Sequence, residues 1–148
     1  MKALTTFIAI ALLAFSTTAC SQQHTYRSGS FGSKTVKARK NYVTKDIKED
    51  NFTKLSVAGS PDVTYTQKSG KPTVEVYTSD NIVDLLDIRV KDNTLYIGFK
   101  KNVNVSYNKL EVRVSAEKLN GIAVAGSGDV ELKNGLKTDN LKISVAGS

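Results

Sequence analysis

One frame of residues occurs three times in the chain, as LSVAGSPDV (Leu55 to Val63), IAVAGSGDV (Ile122 to Val130) and ISVAGS (Ile143 to Ser148). The last two copies stand 21 residues apart, counted from Gly126 to Gly147, within the range of coil lengths in stacked repeat proteins. Ile122 and Val124 then correspond to Ile143 and Val145, and Val130, Leu132, Leu136 and Leu141 add apolar points inside the period. Apolar and polar residues alternate within each copy, the pattern of a strand with one buried face. A single coil cannot bury the positions it turns inward, whereas stacked copies bury a continuous core. The repeat predicts an all-β chain: a β-helix-like solenoid of short strands, with a hairpin-rich N-terminal half wrapped as an irregular extension of it.

Strand patterning continues through the rest of the body. Val63-Thr64-Tyr65, Val74 to Thr78 and Leu110 to Val114 alternate cleanly, and Ser69-Gly70-Lys71-Pro72 supplies a turn between the first two. Ile88-Arg89-Val90, the Asp92-Asn93 turn and Leu95 to Phe99 form a hairpin pattern. Asn81 to Asp87 is the one stretch with helical character, too short to define a class. The segment Lys100 to Lys109 predicts the longest loop and a candidate contact surface. The third copy stops at Ser148, where a Gly-Asp and another strand are expected. That predicts a shortened version of a longer solenoid, or one capped by a partner. An open strand edge of this kind invites pairing, so self-association through the C-terminal edge is an expected partnership.

The first residues predict an export signal. Lys2 precedes the apolar run Phe7 to Phe15, far short of the roughly 20 residues that span a bilayer. Ser16-Thr17-Thr18-Ala19 then leads into Cys20, a signal-peptide ending. The junction resembles the lipobox of bacterial lipoproteins, in which the cysteine is lipidated and becomes the mature N-terminus; Thr17 stands where leucine is usual. The alternative is an ordinary cleaved signal with a free cysteine. The organisation expected is a signal over 1–19, lipidated Cys20 with a flexible basic tether over 20–50, and a solenoid domain over 51–148, incomplete at its C-terminus. The implied location is the bacterial cell envelope, at the outer membrane.

The net charge of +7 argues less for nucleic acid than it first suggests. Lys2, Arg27, Lys34, Lys37, Arg39, Lys40 and Lys45 all precede the first acid, Asp46. From there to Ser148 fourteen basic residues face fourteen acidic ones. The domain lacks the cationic excess that drives phosphate binding by counterion release, so no nucleic-acid partner is expected. The single cysteine excludes an intramolecular disulfide and multi-thiolate zinc, and the single His24 leaves little for a catalytic triad.

Taken together, Phe52-x-x-Leu55-x-Val57-x-Gly59-x-x-Asp62-Val63, the hairpin ending Asn93-Thr94-Leu95-Tyr96-Ile97, and Leu119-x-x-Ile122-x-Val124-x-Gly126-Ser127-Gly128-Asp129-Val130 resemble the putative auto-transporter adhesin, head GIN domain family over Asn51 to Ser148. Pro61 stands where that family has a glycine. The resemblance implies an envelope protein with a β-helix-like body, no catalytic activity, and an adhesive role toward a glycan or protein ligand.

The repeat turns are the strongest candidate motif: Gly59, Asp62, Gly126, Ser127, Gly128, Asp129 and Gly147. Glycine-rich turns can cradle an anion and a repeated Asp can ligate calcium. The nine-residue calcium repeat is absent, however, and turn geometry accounts for every residue of the motif. These residues are therefore expected to be structural, with ligand contact as the secondary role, and neither metal nor cofactor is expected. Two further classes remain: an assembly subunit pairing through an open β edge, and a carbohydrate-active enzyme. The enzyme would use Asp84 with Asp87, or Asp62 with Asp129 if their repeats align, since glycoside hydrolysis needs two carboxyl groups flanking one bond. Tyr65, Tyr77, Tyr96 and Tyr107 are candidates for stacking on sugars.

Overall fold

The computed structural model describes residues 35–147; the signal expected over 1–19, Cys20, His24 and Ser148 lie outside them. Twelve strands run in the order β1 Thr35–Lys37, β2 Tyr42–Ile47, β3 Lys54–Ala58, β4 Asp62–Gln67, β5 Thr73–Ser79, β6 Leu86–Lys91, β7 Thr94–Phe99, β8 Asn104–Ser106, β9 Leu110–Ala116, β10 Gly121–Ala125, β11 Val130–Lys133 and β12 Lys142–Ala146. A single 3₁₀ turn, Val83–Leu85, falls inside the stretch with helical character.

The strands form two five-stranded sheets, ordered β12-β10-β3-β7-β6 and β11-β4-β9-β5-β2, and a two-stranded sheet β1-β8. The first two copies each contribute one strand to each large sheet, crossing between them at the glycine turn, β3 to β4 at Gly59 and β10 to β11 at Gly126, and the third contributes β12. The copies then lie parallel and in register. Leu55 pairs with Ile122 and Ile122 with Ile143, while Val57 pairs with Val124 and Val124 with Val145. The residues that share a position in the repeat are thus neighbours in one ladder.

Strand alternation sends Leu55, Val57, Leu95, Ile97, Ile122 and Val124 from one sheet, and Val63, Tyr65, Val74, Val76, Val112 and Val114 from the other, into a common core. Each fully buried aliphatic side chain there contributes about 1.5–3 kcal/mol by leaving water. The ladder ends unevenly. Ile143 and Val145 of β12 remain 59% and 69% exposed, against 7% and 8% for Ile122 and Val124 one strand inward.

Three expectations are corrected. The N-terminal half is not an irregular extension: β3 and β7, and β4 and β9, pair in parallel and carry the same two sheets as the later repeats. Among the described residues antiparallel pairing in the two large sheets is confined to β2-β5, β5-β9 and β6-β7, at one side of the stack. The stretch expected as a tether up to residue 50 contains β1 and β2, because Tyr42 to Ile47 finds a partner in β5 and Tyr42 stacks on Tyr77 at 5.6 Å. The expected loop Lys100 to Lys109 contains β8, which pairs with β1 through Val36 and Val105. The hairpin at Asp92-Asn93 stands as expected, both residues in the left-handed region at φ 50° and 57°, the geometry of a type I′ turn.

Candidate functional site

The two sheets present different outer faces. On β11-β4-β9-β5-β2, register sets Glu75 opposite Arg113 and Tyr77 opposite Glu111. Arg113 donates to Glu75 at 2.7 Å, and the Lys109 ammonium lies 3.1 Å from Glu111 and 5.1 Å above the Tyr77 ring. Exposed pairs of this kind contribute only about 0.2–1 kcal/mol each, yet they leave the face matched in charge.

The outer face of β12-β10-β3-β7-β6 has a different character. One row across it reads Tyr96, Ser56, Ala123, Ser144, and the next reads Thr94, Lys54, Gly121, Lys142. Small residues make a low floor, and the larger Tyr96 and the lysines stand over it. The result is an open groove of about 740 Å³ with no carboxylate in its lining. Tyr96 is 37% exposed, with the Arg89 guanidinium 5.9 Å from its ring centre. The ion pairs among the described residues draw on Lys45, Arg89, Lys109 and Arg113, and leave Lys54 and Lys142 unpaired.

The repeat turns stack on one another. The Gly59 amide donates to Ala125 O at 2.9 Å, and the Gly126 amide to Ala146 O at 2.9 Å. Those amides are consumed by the ladder and are not free to cradle an anion. Gly126 has φ 129°, and a Cβ on it would collide with the Gly59 backbone; one on Gly147 would collide with Gly126 in the same way. A Cβ on Gly128 would sit 2.6 Å from Pro61 O. Ser127, Asp62 and Asp129 are exposed at the turns. Because Val130 pairs with Val63, Asp129 lies one strand over from Asp62. Among the described residues no group of three or more His, Cys, Asp or Glu is placed to hold a metal ion.

Asp84 and Asp87 are drawn into separate ion pairs, with Lys45 at 2.7 Å and with Arg89. The hydrogen bond from Lys45 holds the Asp84 carboxyl below the usual carboxylate range, the opposite of what a general acid near neutral pH requires. Of the four candidate tyrosines, Tyr65 is fully buried, Tyr107 packs against the core beside Phe99, and Tyr77 lies beneath Lys109. Tyr96 keeps an exposed ring over the groove. Lys54 and Lys142 escaped the sequence reading, although the signal was present. They precede LSVAGS and ISVAGS at the same position of the frame, where the middle copy has Gly121.

The described residues thus form a two-sheet all-β domain with parallel repeat strands and an open outer groove. The model of the putative auto-transporter adhesin, head GIN domain family matches residues 51–148, and the chain belongs to that family. Among solved structures it is similar to a putative adhesin from Bacteroides fragilis, with 37% identity and a TM-score of 0.70 over 76% of this chain and 53% of that one. A putative adhesin from Parabacteroides merdae gives 28% and 0.70 over 75% and 46%. A putative lipid binding protein from Parabacteroides distasonis, 24% identical, shares the fold with a TM-score of 0.73 over 78% and 50%. The chain thus spans about half the length of these structures. No curated protein matches it.

Proposed function

We propose that this chain is a non-enzymatic lipoprotein of the bacterial cell envelope, attached at the outer membrane through Cys20. Its repeat strands wind as a β-helix-like solenoid whose outer faces bind a glycan or protein ligand. The observation that carries the proposal is the division of labour within one sheet: Leu55, Ile122 and their neighbours face the core, while Tyr96, Lys54 and Lys142 stand over an open groove outside. Membership in an adhesin-like family supports the same role. Acyl chains contribute about 0.8 kcal/mol per buried methylene, so more than one chain on Cys20 would hold the protein firmly. The basic residues between Cys20 and Asp46 would assist by roughly 1 kcal/mol each near an anionic surface.

Cell fractionation tests the anchor: Cys20→Ser should move the protein from the membrane to the soluble fraction, and continued membrane association would count against it. Beads carrying the full chain should be retained on glycan- or protein-coated surfaces beyond albumin-coated beads; equal retention on every surface would sink the binding role. Turnover of glycans by the purified chain, lost on Asp129→Asn, would show an enzyme instead.

The exposed Ile143 and Val145 favour a second reading, in which the β12 edge pairs with another strand and the protein acts as an assembly subunit. Sedimentation should then show a concentration-dependent oligomer that Val145→Lys abolishes. A monomer at all concentrations would eliminate this reading.

A further inference from the structure

We infer that the groove on the β12-β10-β3-β7 face takes an acidic saccharide, its ring laid against Tyr96 and its carboxylate held by Lys54 and Lys142. This rests on the ligand-binding role proposed above and names the chemical class of the ligand.

Across β10, β3 and β7 the main-chain donors and acceptors of the floor are already spent in the ladders on either side, and the outer edge of β12 points away from it in the plane of the sheet. A ligand lying on it must be recognised by side chains and ring faces, which disfavours an extended peptide seeking backbone pairing. The side chains on offer fall into three kinds. Tyr96 presents an exposed aromatic ring at one side. Ser56, Ser144 and Asn120 present hydroxyl and amide groups able both to donate and to accept. Lys54 and Lys142 present positive charge, with no carboxylate in the lining to neutralise it. An apolar ring face, several hydroxyls and a carboxylate occur together in an acidic sugar.

Gly121 makes the charged end possible. It lies between Lys54 and Lys142 in the register, and the Lys54 Cγ comes 3.1 Å from where a Cβ on Gly121 would be. The Lys54 stem therefore leans across the missing side chain toward Lys142. Their Cα atoms are two strand spacings apart, roughly 10 Å, and the lean brings positive charge over the floor between them. Tyr96 stands one row along on β7, one strand spacing from Lys54 and three from Lys142, which puts its Cα roughly 8 Å from that of Lys54 and roughly 16 Å from that of Lys142, so ring and charge can meet the same oligosaccharide.

The groove is open and floored by short side chains, giving little depth for an acyl chain. The balanced charge of residues 46–148 leaves no long cationic track for a nucleic-acid backbone.

The test titrates the full chain, purified in detergent, with tetragalacturonate and with maltotetraose as a neutral tetrasaccharide. Tetragalacturonate should bind about tenfold more tightly, and raising salt from about 0.05 to 0.5 M should weaken it severalfold as the lysine charges are screened. Tyr96→Leu, which keeps apolar bulk without the ring, and Lys54→Ala should each reduce affinity about fivefold or more with an unchanged melting temperature. Thr64→Ala on the opposite sheet should change nothing. Equal affinity for the two sugars, binding of neither, or tight binding that survives both groove substitutions would overturn the proposal. So would preference for phosphatidylglycerol vesicles or a DNA oligonucleotide over tetragalacturonate. If bead retention on coated surfaces persists while tetragalacturonate fails, the ligand class alone falls; loss of both removes the binding role itself.

Discussion

Tyr65 sits in β4 with no exposed surface, and its hydroxyl donates to Ala116 O at 2.9 Å. Alternation around it predicts an inward position, yet the sequence alone offers it equally as a sugar platform, because a tyrosine in a strand packs or protrudes according to its neighbours. Burial pushes its hydroxyl above the ordinary tyrosine range, and burial does the same to Tyr107. The folded protein thus holds these protons to higher pH than the unfolded chain, whose tyrosines ionise near pH 10. The stability this supplies is complete below about pH 10 and is lost as pH rises through the folded values. Urea midpoints should hold steady from about pH 7 to 9 and fall above about pH 10. Tyr65→Phe should cost about 1 kcal/mol near pH 8 through the lost hydrogen bond, and should show a shallower alkaline fall. An unchanged alkaline slope in that variant would place the sensitivity in Tyr107 instead.

The repeat turn is the unit in which sequence and structure agree most closely. Its shared frame identified which residues stack, and Ile122 does pair with Ile143. The turn glycines are fixed by the approach of neighbouring backbones: Gly126 lies against Gly59, and Gly147 against Gly126. Gly126→Ala should cost at least about 2 kcal/mol in urea unfolding, from left-handed strain plus collision with Gly59. Gly70 also has positive φ, 111°, but nothing lies within 4 Å of a Cβ built there. Gly70→Ala should therefore cost only about 1 kcal/mol. Equal losses would mean that strain alone matters and that the close stacking is dispensable. Strands β1, β2 and β8 were harder to read, because short strands at a sheet edge depend on distant partners. Tyr42 to Ile47 is held by β5, some thirty residues onward, and nothing local distinguishes such a segment from a polar linker. The groove was legible only in pieces, since Lys54, Tyr96 and Lys142 converge through three strand pairings rather than through nearness in sequence.

Across the whole domain, spatial order departs from chain order. β3 lies between β7 and β10, and β4 between β9 and β11, so the first repeat sits inside the stack rather than at its edge. Such non-local pairing makes folding slow, and refolding from urea should take milliseconds to seconds. Ile143 and Val145 are mostly exposed, so β12 adds little burial. A chain lacking residues 142–148 should still melt cooperatively, with a small loss in melting temperature. Collapse of that variant to a non-cooperative state would show that β12 is integral to the core.

Antiparallel ladders end at β6 and β2 on one side of the two sheets, while parallel β12 and β11 lie at the other. Every added copy of the frame would meet the same landing pattern of inward aliphatics and a glycine corner. Elongation by gene duplication therefore has a built-in direction: reach can be tuned by whole units on the parallel side without redesigning the antiparallel one.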